Sequence, residues 1–139
     1  MLVSMTVEGS AGDFEVVMNA ARTFPKDPAM QVQALRLMAL LAASSQAART
    51  RLGELGACKV VIRAMKSFPQ ERLVQHAACL ATAKLADGLE LHKTTLGATS
   101  CVELIVQAMK TFSDSPKVQA AACEALGVLV SDAEENLLR

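Results

Sequence analysis

Residues 60–69 read VVIRAMKSFP, and two near-copies flank them: VVMNAARTFP at 16–25 and LIVQAMKTFS at 104–113. Each copy lies 44 residues from the next, and the register holds well beyond the copies themselves. Phe24, Phe68 and Phe112 coincide, as do Ala20, Ala64 and Ala108. Gln31, Gln75 and Gln119 follow, then Ala34, Ala78 and Ala122, then Leu41, Leu85 and Leu129. Leu52 pairs with Leu96, Gly53 with Gly97, and Pro28 with Pro116 across two periods. An ungapped period of this size marks stacked structural repeats. The units run over about 16–59, 60–103 and 104–139, the last incomplete, with 1–15 a partial N-terminal unit or cap of one 139-residue domain.

Each unit reads as three helices. The short first one is AARTRLGEL at 47–55 and LHKTTLGAT at 91–99, with a Gly suited to a left-handed stop near its end. The second is the opening stretch; in the third unit Ser100 and Glu103 have the spacing of a capping box. It closes on Arg22, Lys66 or Lys110, where the helix dipole favours a cation and the charge is expected only to be solvated. The Phe that follows is expected to plug the core between repeats. The third helix is the longest, and Asp27-Pro28 and Ser115-Pro116 supply a cap and a first-turn Pro. From there Met30, Ala34, Leu37, Met38 and Leu41 trace one apolar face. The next units repeat it as Val74, Ala78, Ala81, Thr82, Leu85 and as Val118, Ala122, Ala125, Leu126, Leu129. One unit alone cannot bury such a face; stacked units can.

Composition agrees with an all-α chain. Hydrophobic residues make up 52% but aromatics only 3%, with no Trp or Tyr, so the core must be Ala, Leu, Val and Met, which enter helices at little cost. Fourteen basic and fourteen acidic residues cancel, giving no basic excess for nucleic acid. No apolar run reaches the roughly 18 residues a membrane span needs, and MLVSMTVEGS is no secretory leader. A cytoplasmic location is expected, or a nuclear one.

The third helices resemble those of the armadillo repeat family, which read approximately V-Q-x-x-A-x-x-A-L-x-x-L-A. VQHAACLATAKLA at 74–86 and VQAAACEALGVLV at 118–130 match closely, and MQVQALRLMALLA at 30–42 loosely. Gly56 stands at the family's Gly between first and second helices, and Ser100 replaces it one unit later. HEAT repeats, the close rival, have two helices per unit. The AMK-x-F second helix is similar to the longer armadillo repeats of some large multidomain proteins, including Roco-type kinases.

The resemblance implies a right-handed superhelix whose third helices line a concave groove. Import receptors of that family hold basic peptides there with a Trp ladder and an Asn ladder. The corresponding positions here are Arg36, Leu80 and Glu124, and Leu40, Lys84 and Val128, so neither ladder is present.

Chemistry is sparse. Cys58, Cys79, Cys101 and Cys123 include no C-x-x-C pair and are expected to be small buried thiols, with Cys79 and Cys123 at equivalent positions. His76 and His92 have no patterned Cys, Ser or Asp beside them. GSAGD is no phosphate loop, and SDAEEN at 131–136 lacks calcium-loop spacing and is expected to start a helix. Met38, Met65 and Met109 fall at core positions. The expectation is a scaffold that is not an enzyme, without metal or cofactor, binding a protein or peptide partner through Gln33, Arg36, Leu40, Leu80, Lys84, Glu124 and Val128. No nucleic acid and no membrane span are expected. The alternatives are a structural spacer or oligomerisation segment that self-associates through exposed repeat ends, or a regulatory module of a larger multidomain enzyme. Arg139 matches Arg51 and Thr95, just short of the recurring Leu52 and Leu96, so the chain is expected to be a piece of a longer array.

Overall fold

The computed structural model describes residues 11–97 and 100–138, with side chains over 13–97 and 100–131. Among the described residues there are eight helices and no strand. They are α1 (Ala11–Thr23), α2 (Pro28–Ser44), α3 (Gln46–Glu54), α4 (Ala57–Ser67), α5 (Arg72–Ala86), α6 (Glu90–Gly97), α7 (Cys101–Thr111) and α8 (Pro116–Leu138). The third helices α2, α5 and α8 pack side by side as one layer, and α4 and α7 pack against α5 and α8. The result is a stacked α-solenoid. The partial unit or cap assigned to 1–15 falls mostly outside the described residues.

The aligned glutamines explain the junction between second and third helices. Gln31 Nε2 donates to the carbonyls of Ala21 (3.0 Å) and Phe24 (2.9 Å). Gln75 does the same to Met65 (3.1 Å) and Phe68 (2.9 Å), and Gln119 to Met109 (2.9 Å) and Phe112 (3.0 Å). A helix ends with carbonyls that have no intrahelical donor. One amide per unit satisfies such a carbonyl, adds a second bond to the Phe carbonyl that also accepts from the turn N–H three residues on, and pins the next helix to the turn. On the far side of the turn, the Asp27 side chain accepts from Met30 N at 3.1 Å and Ser115 Oγ from Val118 N at 3.3 Å, as the Asp-Pro and Ser-Pro pairs predict.

Other expectations change. Ser100 does not cap α7 with its side chain; it takes a left-handed backbone, φ 68°, and makes no side-chain cap bond. A capping box needs an extended N-cap, whereas position 100 inherits the left-handed turn made by Gly56, φ 90°, one unit earlier. The stops after α3 and before α7 therefore lie at Gly56 and Ser100, while Gly53 and Gly97 are helical. SDAEEN does not start a helix, because α8 runs unbroken from Pro116 to Leu138. The aromatic plug holds for Phe68, which packs on the core, but Phe24 is 48% exposed. Arg22 is not merely solvated: its guanidinium donates to the Leu55 carbonyl, tying α1 to the end of α3.

Burial follows the stacking. The α2 stripe Val32, Leu35, Ala39 and Ala42 is buried against α5, and Cys79, Ala83 and Ala86 repeat it on α5 against α8. On α8 the same columns are Ala120, Cys123, Gly127 and Val130, and all four are exposed, since no further helix stacks there among the described residues. Cys123 is thus exposed where a buried thiol was expected, and it does not pair with the buried Cys79. Met38 and Met65 are core; Met109 is partly buried against it.

Candidate functional site

Helix α5 sits between two neighbours in its layer and against α4 and α6 behind, so one side remains open. Its less buried residues are Arg72 and Leu73 together at its start, then His76, Leu80 and Lys84 at steps of three to four. That spacing is a single stripe down the helix. The equivalent columns on α2 hold Arg36 and Leu40, and on α8 Lys117, Ala120, Glu124 and Val128.

The seven residues named from sequence divide over this surface. Lys84 Nζ bonds Glu124 Oε1 at 3.2 Å, bridging α5 and α8 with both side chains partly exposed. Leu80 and Val128 are half-buried and pack on the core. Leu40 is 67% exposed and does not pack on it. Gln33 lies elsewhere, in a small apolar pocket with Val16, Val17, Met30 and Leu37 on the side of α2 away from α5. In the later units that column is buried as Ala77 and Ala121, so it is a stacking position rather than part of the open stripe.

Arg36 joins residues the sequence reading passed over. It lines a cavity of about 460 Å³ with Arg72, Leu73 and His76 of α5 and with residues 114–118 at the start of α8. Three permanent cations, Arg36, Arg72 and Lys117, meet one carboxylate, Asp114. None of the three cations forms an ion pair among the described residues. Burial first, then the positive charges of Arg36 and Lys117, hold His76 below the ordinary imidazole value. The signal is present in the sequence: Arg72, His76, Leu80 and Lys84 are separated by four residues each, the spacing of one helix stripe.

The three buried thiols are inert. Burial raises Cys58 to about 11, Cys79 to about 12 and Cys101 to about 11. Such thiols stay protonated and unreactive at neutral pH. His92 is buried, and its Nδ1 donates to the Leu85 carbonyl at 2.7 Å, so it serves packing. Among the described residues no group of three His, Cys, Asp or Glu could hold a metal ion, and no helix is long and apolar enough to cross a membrane.

Comparison with known proteins fits this architecture. No curated protein and no solved structure matches the chain. A family model does, over residues 6–130, which takes in all three copies of the opening motif and every third helix as far as Val130. The chain therefore belongs to the family described as LRRK2 ARM repeat.

Proposed function

We propose that this chain is a cytoplasmic or nuclear scaffold of the long-repeat armadillo subtype, non-catalytic, binding a protein or peptide along the open face of α2, α5 and α8. Units of about 16–59, 60–103 and 104–139 would form one domain that presents this face as a groove. The observation that carries the reading is the open stripe on α5. A helix flanked on both sides and behind still leaves Leu73, His76, Leu80 and Lys84 in reach of solvent, and its neighbours extend the stripe with Arg36, Leu40, Glu124 and Val128. Apolar groups beside charges suit a partner that is both held and oriented. Gln33 belongs to the stripe only if the partner wraps past α2.

The test places a photo-crosslinking amino acid at the exposed positions 36 and 124, and at 66 on α4 as control. Partner adducts from 36 and 124 but not from 66 support the reading. Adducts from 66 alone move the interface to the second helices. A charge swap, Lys84→Glu with Glu124→Lys, keeps the ion pair while reversing its polarity. It should preserve melting and weaken the partner.

One observation favours a second reading, a structural segment that self-associates. Ala120, Cys123, Gly127 and Val130 are exposed on α8 at columns that α2 and α5 use to receive the next unit. Light scattering across a range of concentrations decides it: mass that grows with concentration supports stacking, and a constant monomer mass removes it.

A further inference from the structure

We propose that the cavity between the N-terminal parts of α5 and α8 is a subsite for an acidic side chain of a bound peptide, glutamate or aspartate, with an apolar neighbour seated on Leu73. The inference rests on the scaffold reading above and names the chemistry of its partner.

Three features support it together. The cations come from three different units, Arg36 from α2, Arg72 from α5 and Lys117 from α8, so the stacking itself brings them to one cavity. Like charges so gathered repel one another, and among the described residues Arg36, Arg72 and Lys117 have no ion-pair partner to relieve this. An incoming carboxylate would relieve it and accept charge-assisted hydrogen bonds, about twice as strong as neutral ones. Secondly, the cavity has an apolar wall. Leu73, 52% exposed, lines it together with Pro116 and the buried Val118, so an acid beside an apolar residue fits better than a bare anion. Thirdly, burial first and then the charges of Arg36 and Lys117 hold His76, another lining residue, below the ordinary value, in keeping with the cations gathered there. Arg72 also lines the cavity, and Asp114 is the one opposing charge in its lining.

A nucleic acid is the less suitable anion. The chain has no net charge, Asp114 lines the cavity itself, and Glu124 stands beside Lys84 on the open stripe. A long polyphosphate would meet those carboxylates on leaving the cavity, whereas one acidic side chain would not. About 460 Å³ holds one or two side chains, not a run of nucleotides.

Fluorescence anisotropy tests the proposal with a short labelled peptide of alternating glutamate and leucine, its glutamine counterpart, and a labelled oligothymidylate. The full chain should bind the glutamate peptide and bind the glutamine peptide at least about tenfold more weakly. Arg72→Gln with Lys117→Gln should cost the same factor, and Lys66→Gln on α4 nothing. Arg72 and Lys117 are exposed, so melting should hold; if the double variant is destabilised, Arg36→Gln provides the same test. Equal binding of both peptides, no response to the variants, or no binding of the glutamate peptide overturns the proposal. So does equally tight oligothymidylate binding that is lost in the same variants. Loss of the peptide result with crosslinks from position 124 intact would remove this subsite and leave the scaffold standing.

Discussion

Gly53 on α3 aligns with Gly97 on α6, yet the two glycines sit in opposite surroundings. A Cβ added at 97 meets nothing within 4 Å among the described residues. One added at 53 would overlap His92 Nε2 and lie 2.7 Å from Cε1 and 3.0 Å from Cδ2. The imidazole has little freedom to retreat, because it is buried and its Nδ1–H is engaged by the Leu85 carbonyl at 2.7 Å. Gly53→Ala must therefore break that bond or push α3 away from α6. Overpacking costs about 1–3 kcal/mol and a lost buried hydrogen bond about 1 kcal/mol. Against this stands a helix-propensity gain for Ala of up to about 1 kcal/mol. The net expectation is a loss of about 1–3 kcal/mol. In a His92→Ala background the obstruction is gone, so Gly53→Ala should become neutral or stabilising by up to about 1 kcal/mol. Urea unfolding of the four proteins closes the cycle, with Gly97→Ala as an unobstructed control. If Gly53→Ala is neutral in the otherwise unchanged chain, or if its cost persists without His92, the close approach of α3 and α6 is not what requires glycine.

Three further outcomes are expected. Ser100→Gly removes the strain of a left-handed Ser and should raise stability by about 1 kcal/mol, seen as a higher melting temperature; a lower one would mean its side chain contributes more than its backbone costs. Gln75→Leu leaves the Met65 carbonyl without its donor, while Phe68 keeps the bond from Glu71 N, and should cost about 1–3 kcal/mol, whereas a change below about 0.5 kcal/mol would show the bracket to be incidental. Thiol titration with a chromogenic disulfide should find Cys123 at once and Cys58, Cys79 and Cys101 only on unfolding. The buried thiols also set an alkaline limit. Their folded values, about 11, 12 and 11, lie above the ordinary 9.0, so the unfolded chain loses these protons first. Their contribution is complete below pH 9 and disappears as pH climbs from 9 through 11 to 12, by about 1.4 kcal/mol per pH unit for each thiol. Unfolding curves between pH 8 and pH 11 check this, and Cys79→Ala should flatten the slope by about a third.

The helices were legible because each carries its own signal. The recurrence of Phe, Ala, Gln and Leu fixes the period, and Asp27 and Ser115 mark helix starts that the structure reproduces. What escaped depends on contacts between units. The column shared by Leu35, Cys79 and Cys123 is one position in the repeat but faces a neighbour only in α2 and α5, so burial cannot be read from the column. Position 100 shows the reverse: Ser-x-x-Glu suggests a cap locally, and the turn inherited from Gly56 overrides it. At the candidate site, the repeat puts Arg36, Leu80 and Glu124 in one column, whereas the cavity gathers Arg36, His76 and Lys117 from three different columns. Stagger between stacked helices brings them together, and a linear period does not encode stagger.

The glutamine brackets have a mechanical consequence. Gln31, Gln75 and Gln119 each fasten a third helix to the turn that precedes it, so the angle within a pair is held by side-chain amides as well as by packing. Between units the seams use Ala39, Ala42, Ala77, Cys79, Ala83, Ala86 and Ala121 with only Val32 and Leu35 larger, mostly short side chains that interlock little. Stiff pairs joined by smooth seams form an elastic rod whose compliance is concentrated at the joints. A pull along the stack would change its pitch before melting any helix. Spacing along the open face, from Arg36 to Lys117, would then vary with the strain the rod carries.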